Sequence, residues 1–184
     1  FLTHGDDNGL VLTPKLAPIQ VMIIPINSRV VKKNALESAR DLYKYAKSIE
    51  KELTDKGIRV RIDAKTQIDE MFEESSESPG RKFNKWEVKG VPLRFEIGDT
   101  EVDSKILTVA RRDTLEKLNI RREVVVAETI KLLNEMQKAL FGKTKAFLDE
   151  NTREVTSFDE FKTIMNSTRG FIRAFWCEDT ACEE

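Results

Sequence analysis

The chain has 184 residues, 40% hydrophobic and 34% charged, with 31 Lys and Arg against 32 Asp and Glu for a formal net charge of −1. That length allows one good domain plus a small extra piece, and the composition is that of a chain with a buried core. The charge balance excludes wholesale wrapping of a nucleic acid, so any such contact must be local. No apolar run approaches the roughly 20 residues of a membrane helix, and no signal peptide is visible. The two cysteines fall in the last eight residues; they make no disulfide framework, and a reducing cytosol is the default. The opening FLTHGDDNG has no initiator Met and starts within a pattern, as a piece of something longer would.

In chain order, residues 1–18 are rich in turns, with a loop over Gly5–Gly9, a short strand at Leu10–Leu12, and closure by Pro14 and Pro18. Ile19–Ile26 is a nearly continuous apolar run, the pattern of a strand buried on both faces in an α/β sheet. Asn34 and Glu37 form a capping box, and Leu36, Ala39, Leu42, Tyr43, Ala46, Ile49 and Leu53 mark the apolar face of a helix ending near Gly57. Ile58–Ile62 alternates as a second strand, completing a βαβ unit. Asp69, Glu70, Glu73, Glu74 and Glu77 then precede a Ser-rich break, which reads as a short helix over Ile68–Phe72, a solvated acidic face and a mobile loop. Phe83–Lys89 gives two helical turns stopped by Gly90. Val91–Ile97 and Ile106–Ala110 form a hairpin across a turn at Gly98–Ser104. Asp113–Lys117 is a polar loop. A long amphipathic helix starts at Asn119 and runs to about Leu148. Ser157 and Glu160 cap a helix over Phe158–Met165, Gly170 ends it, and Phe171–Trp176 is a last strand.

One stretch is unlike the rest. From Arg81 to Phe95 five cations (Arg81, Lys82, Lys85, Lys89, Arg94) face one acid, Glu87, a local +4 in a near-neutral chain, interleaved with the rings of Phe83 and Trp86. Cations among flat rings suit a single-stranded nucleic acid, the cations meeting phosphates and the rings stacking on unpaired bases. The competing reading is a solvated cationic helix turn followed by a core strand, with both rings buried.

Four segments carry a family resemblance. HGDDNGLVLTPKLAPIQVMIIPI (His4–Ile26) resembles the end of the third class II signature of prolyl-tRNA synthetases running into their anticodon-binding domain. KFNKWEVKGVPLRFEIG (Lys82–Gly98) resembles that domain's most recognisable segment, and ARRDTLEK (Ala110–Lys117) and FLDENTREVTSFDEF (Phe147–Phe161) match as well. GDD-x-GLVL followed by WE-x-KGVPLR is a specific pairing, and the similarity covers essentially the whole chain, in the archaeal and eukaryote-like branch of the family.

The resemblance implies an α/β anticodon-binding fold: a mixed sheet of about five strands flanked by helices, plus the start of a small C-terminal α+β zinc-type domain. The implied division is a catalytic-domain tail at 1–18, the anticodon-binding domain at 19–122 and a truncated zinc-type domain at 123–184. The complete enzyme of such a family joins L-proline to tRNA(Pro) with ATP and Mg2+, as a cytoplasmic homodimer built through the catalytic domain, with no membrane. The family's anticodon contacts fall on Phe83, Glu87, Arg94 and Lys117. Phe83 would stack on an unpaired base, Glu87 would accept from a guanine's amino and ring N–H edge, and Arg94 and Lys117 would donate to guanine O6 or N7. Glu87 and Arg94 pairing with each other is the competing structural reading, and Trp86 and Val91 read as core.

Departures from the family pattern bear on activity. The ATP-contacting arginine that ends the third signature corresponds to Lys15, which keeps the charge and loses the planar fork. The first two class II signatures are not in these residues, and His4 is the only histidine, so catalytic residues are expected to be none and the fragment inactive alone. Cys177 and Cys182 resemble the first half of a zinc site whose other two ligands lie elsewhere. Two further functions are weighed against the anticodon reading: a stand-alone RNA-binding module of the same fold without enzyme activity, and a structural or dimer-supporting domain whose cations are solvated.

Overall fold

The computed structural model describes residues 3–26, 35–63, 78–176 and 178, with the backbone alone for residues 35–39. The capping box at Asn34 and Glu37, the helix expected over Ile68–Phe72 and the cysteines Cys177 and Cys182 lie outside the described residues. The chain divides into two compact units, Phe1–Leu140 and Phe141–Glu184.

The first unit is a five-stranded mixed sheet. Its strands are β1 (Val21–Pro25), β2 (Val60–Ile62), β3 (Leu93–Ile97), β4 (Ile106–Arg111) and β5 (Lys117–Arg121). In the order β2-β1-β3-β4-β5, β1 lies parallel to both β2 and β3, while β3–β4 and β4–β5 are antiparallel. Helix α1 (Ala35–Thr54) joins β1 to β2, α2 (Pro79–Val88) precedes β3, and α4 (Val125–Asn151) follows β5 after a 3-10 turn at Arg122–Val124.

Two-residue periodicity sorts the sheet into two faces. Val21 and Ile23 of β1, Leu93, Phe95 and Ile97 of β3, Leu107 and Val109 of β4 and Ile120 of β5 form one buried cluster with Leu42, Ala46, Ile49 and Leu53 of α1 and Leu132, Leu133 and Met136 of α4. The other face is thinner. Met22 and Ile24 join Val91, with Ile19, Phe83 and Trp86 packed against them, so α2 covers only the β1 side. β1 is buried throughout, as its unbroken apolar run requires.

Two elements differ from expectation. The Gly98–Ser104 connection is a short helix, α3 (Asp99–Ser104), in which Glu101 accepts from the Gly98 amide at 2.9 Å. The start of the expected long helix is a strand: Leu118 and Ile120 pair with Val109 and Leu107, so β5 extends the sheet before α4 begins at Val125. Leu10–Leu12 is not part of a sheet. Instead the Leu10 and Leu12 amides donate to the Val88 and Gly90 carbonyls, at 2.9 and 3.1 Å.

The second unit contains the last turns of α4, β6 (Thr152–Glu154), α5 (Phe158–Asn166) and β7 (Phe171–Arg173). β6 and β7 pair in parallel, Phe147 meets Phe171 edge to face at 6.5 Å, and Ser157 caps α5 by accepting from the Glu160 amide. Among the described residues no helix is long and apolar enough to cross a membrane, and no group of three or more His, Cys, Asp or Glu is placed to hold a metal.

Candidate nucleic-acid interface

Where α2 stops short of covering the sheet, the second face is polar. Arg94 sits beside Met22 and Ala110, Glu96 beside Ile24 and Thr108, and Lys117 beside Ala110, so one side of β3–β4–β5 carries two cations around a carboxylate. Glu96 is buried. Its Oε1 accepts from Nε and Nη2 of Arg94 at 3.2 and 3.1 Å, and its Oε2 accepts from Nζ of Lys117 at 2.8 Å. Arg94 also donates through Nη1 to the Phe83 carbonyl at 3.2 Å and to Oε2 of Glu87 at 3.3 Å. The Arg94 guanidinium carbon stands 4.6 Å from the Phe83 ring centroid, and Lys117 Nζ stands 5.5 Å from it.

The four residues named from sequence are therefore neighbours. Glu87, Arg94 and Lys117 line a single groove of about 200 Å³ with Arg111, Arg112 and Leu115. Phe83 is half-buried, packed against the Met22–Ile24 cluster and beneath the two cations. The pairing of Glu87 with Arg94 is present in the structure, and it leaves Glu87 partly open to the groove. Of the five cations in the Arg81–Phe95 stretch, Lys82 is buried.

Arg112, passed over in the sequence, fixes the groove's wall. Nearly fully buried, it donates through Nε to the Glu87 carbonyl at 2.9 Å and through both Nη atoms to the Asp6 carboxylate. With Gly90 N–H on Glu87, Leu10 N–H on Val88 and Val91 N–H on Trp86, the carbonyls of the last three residues of α2 are satisfied. The Arg112 guanidinium pulls the Asp6 carboxyl down to about 2. Arg111 is held by Asp113, at 3.0 and 2.8 Å, and so enters the groove oriented. Glu96 had a signal in the sequence, since i and i+2 on a strand share a face with Arg94; the partnership of Asp6 with Arg112 had none.

Lys15 lies apart from this groove. Its side chain is exposed, its amide donates to Gln137 Oε1 at 3.0 Å, and the turn it occupies is held by Arg59, which donates to the carbonyls of Pro14, Lys15 and Ala17.

The anticodon binding domain family matches residues 20–135, most of the sheet unit, and the chain belongs to that family. Proteins similar to the chain include proline–tRNA ligases. Over all 184 residues the chain is 40% identical to a proline–tRNA ligase 2 of Bacillus cereus, and over 179 residues, 97% of the chain, it is 39% identical to the proline–tRNA ligase of Thermococcus kodakarensis. In each case it spans 34% of the relative's length. Among solved structures, the prolyl-tRNA synthetase of Cryptosporidium parvum complexed with L-proline and AMP superposes over 99% of this chain and 36% of its own, with a TM-score of 0.78 and 38% identity.

Proposed function

We propose that this chain reads the anticodon of tRNA(Pro) for a proline–tRNA ligase, and that the groove beside α2 is where it does so. The observation that carries this reading is the convergence of Glu87, Arg94 and Lys117 on one open groove around a buried acid. Anticodon bases are unstacked, so their edges are accessible to side chains. Glu87 accepts from the guanine N1–H and amino edge, while Lys117, which spends one donor on Glu96, offers others to O6 or N7. Arg94 spends most of its donors on the protein, so it braces Glu87 and presents its cationic plane above Phe83. Phe83, with both cations over its ring, supports that layer from beneath rather than stacking on a base.

For the whole protein we infer the activity of its relatives. L-proline and tRNA(Pro) are joined with ATP and Mg2+ by a cytoplasmic homodimer, with residues 1–18 the tail of a catalytic domain, the rest of the sheet unit the anticodon-binding domain and the second unit the zinc-type domain. Lys15 stands where ATP would be contacted, and Cys177 and Cys182 would give half of a zinc site. Filter binding of the chain to an anticodon stem-loop with UGG, and to loops with each G replaced, tests the reading. Preference for UGG of about tenfold or more, lost in Glu87→Gln, is expected. Equal affinity for all loops would instead support a non-selective RNA-binding module, and no binding at low salt a structural domain.

A further inference from the structure

A second groove of about 200 Å³ lies beside the first, and Trp86 and Val91 line both. Its floor is apolar, from Leu12, Ile19 and Val91, and its charged lining is Arg61 and Lys89; no acidic side chain lines it. Both cations are exposed. No carboxylate among the described residues pairs with either, in contrast to Arg94, Arg111, Arg112, Lys117 and Arg122, each of which meets an acid. Lys89 Nζ rests 4.5 Å from the Trp86 ring centroid. The nearby acid, Asp63, is turned to the ring's edge, where it accepts from Trp86 Nε1 at 2.6 Å, which fixes the indole between the two grooves.

We propose that this second groove binds a phosphodiester of the RNA strand flanking the anticodon bases, with Arg61 and Lys89 on the phosphate oxygens and the apolar floor under the ribose. The inference rests on the anticodon reading of the first groove. Charge selects the occupant: two cations with no counter-ion among the described residues attract a phosphate, and a chain of net charge −1 can use only such local patches. Continuity sets the position, because a strand whose bases enter the first groove passes Trp86 to reach the second. Lys89 already lies over the indole, which favours a phosphate rather than a second stacked base at this spot. The site reads no sequence; it sets register for the groove that does.

The test compares Arg61→Gln/Lys89→Gln with Glu87→Gln in the 184-residue chain, measuring binding of the UGG stem-loop and a G-substituted stem-loop from about 50 to 200 mM salt. The double variant is expected to bind both RNAs roughly tenfold more weakly, to keep their ratio, and to lower the log–log salt slope by about 0.7, the contribution of one single-strand phosphate contact. Thermal unfolding of the variant should change little, because both side chains are exposed, neither is paired with an acid among the described residues, and the exposed contact of Lys89 with the Trp86 ring is weak. If affinity and slope stay as in the parent while Glu87→Gln abolishes the UGG preference, the second groove is not a phosphate site and the anticodon reading stands. If the double variant lowers the slope while Glu87→Gln changes nothing, the phosphate contact stands and the anticodon reading falls. If neither variant has an effect, both fall.

Discussion

Glu96 decides how the groove residues can be tested. A carboxylate buried between Arg94 and Lys117 is tolerated because both its oxygens are bonded, and removing either the acid or the arginine leaves the other, little-exposed charge short of one partner. Arg94→Ala therefore confounds recognition with stability, since it strips Glu96 and the Phe83 carbonyl together. Lys117 is different: its side chain is 54% exposed, so its ion pair is screened by solvent. Lys117→Ala is expected to cost less than about 1 kcal/mol in urea unfolding while reducing discrimination for guanine by about 1–3 kcal/mol, the worth of a good base contact. Glu96→Gln is expected to do the reverse, lowering stability by about 1–3 kcal/mol because the amide opposes a donor to one of the two cations. A Glu96→Gln protein as stable as its parent would show that the carboxylate is not holding the cations. These residues were partly legible in the sequence. Glu87 and Arg94 stood out as an acid and a cation in a ring-rich stretch, but Glu96 was passed over although its spacing from Arg94 put both on one face of β3. The bonds among them could not be read, because Lys117 arrives from a strand that the sequence presented as a loop.

That strand shows why some elements were readable and others not. β1 announced itself through five buried positions in a row, and α1 through a full apolar stripe against the sheet. β5 alternates too, but Lys117–Arg121 offers only two apolar residues between charges, and the expected long helix takes Asn119 as its start. α3 has a single apolar residue in six, Val102, so no helical period existed to find; the end-capping acid Glu101 was its only mark. Gly90 was legible as a stop, and the structure shows a sharper constraint. Its φ is +72°, and a Cβ there would lie 2.6 Å from the Leu10 carbonyl oxygen. Gly90→Ala should therefore cost at least about 2 kcal/mol, from left-handed strain plus the backbone displacement. Because α2 carries Phe83, Trp86 and Glu87, the same substitution should weaken RNA binding through misplacement of the helix, with both defects seen in one protein by thermal unfolding and filter binding. Lys105 offers the opposite change. It caps α3 in the left-handed region at φ 55° with an exposed side chain, so Lys105→Gly should raise stability by about 0.5–1 kcal/mol.

Across the sheet unit as a whole, the ion pair of longest sequence separation among the described residues joins Asp6 to Arg112, 106 residues apart, and locks the segment before β1 onto the α2 terminus and the end of β4. Asp6 titrates at about 2 rather than 3.8, chiefly because its carboxylate accepts from the Arg112 guanidinium. A depressed folded-state value stabilises the fold fully above the ordinary carboxylate range, and the contribution disappears as pH falls from about 4 through 2. Asp6→Asn should therefore lower stability at pH 7 and leave it nearly unchanged at pH 2, flattening the acid limb between them in urea titrations run at each pH. The carboxylate's own side chain is 41% exposed, so solvent screening keeps this loss modest. Arg112 is buried, and Arg112→Leu removes both the carboxylate's partner and the donor to the Glu87 carbonyl. If the tie acts as drawn, Arg112→Leu should also erase what Asp6→Asn does to the acid limb. Adding Asp6→Asn to the Arg112→Leu protein should then leave its pH dependence unchanged, whereas an acid limb that the second substitution still flattens would mean that Asp6 is held down by the Asn8 and Gly9 amides instead.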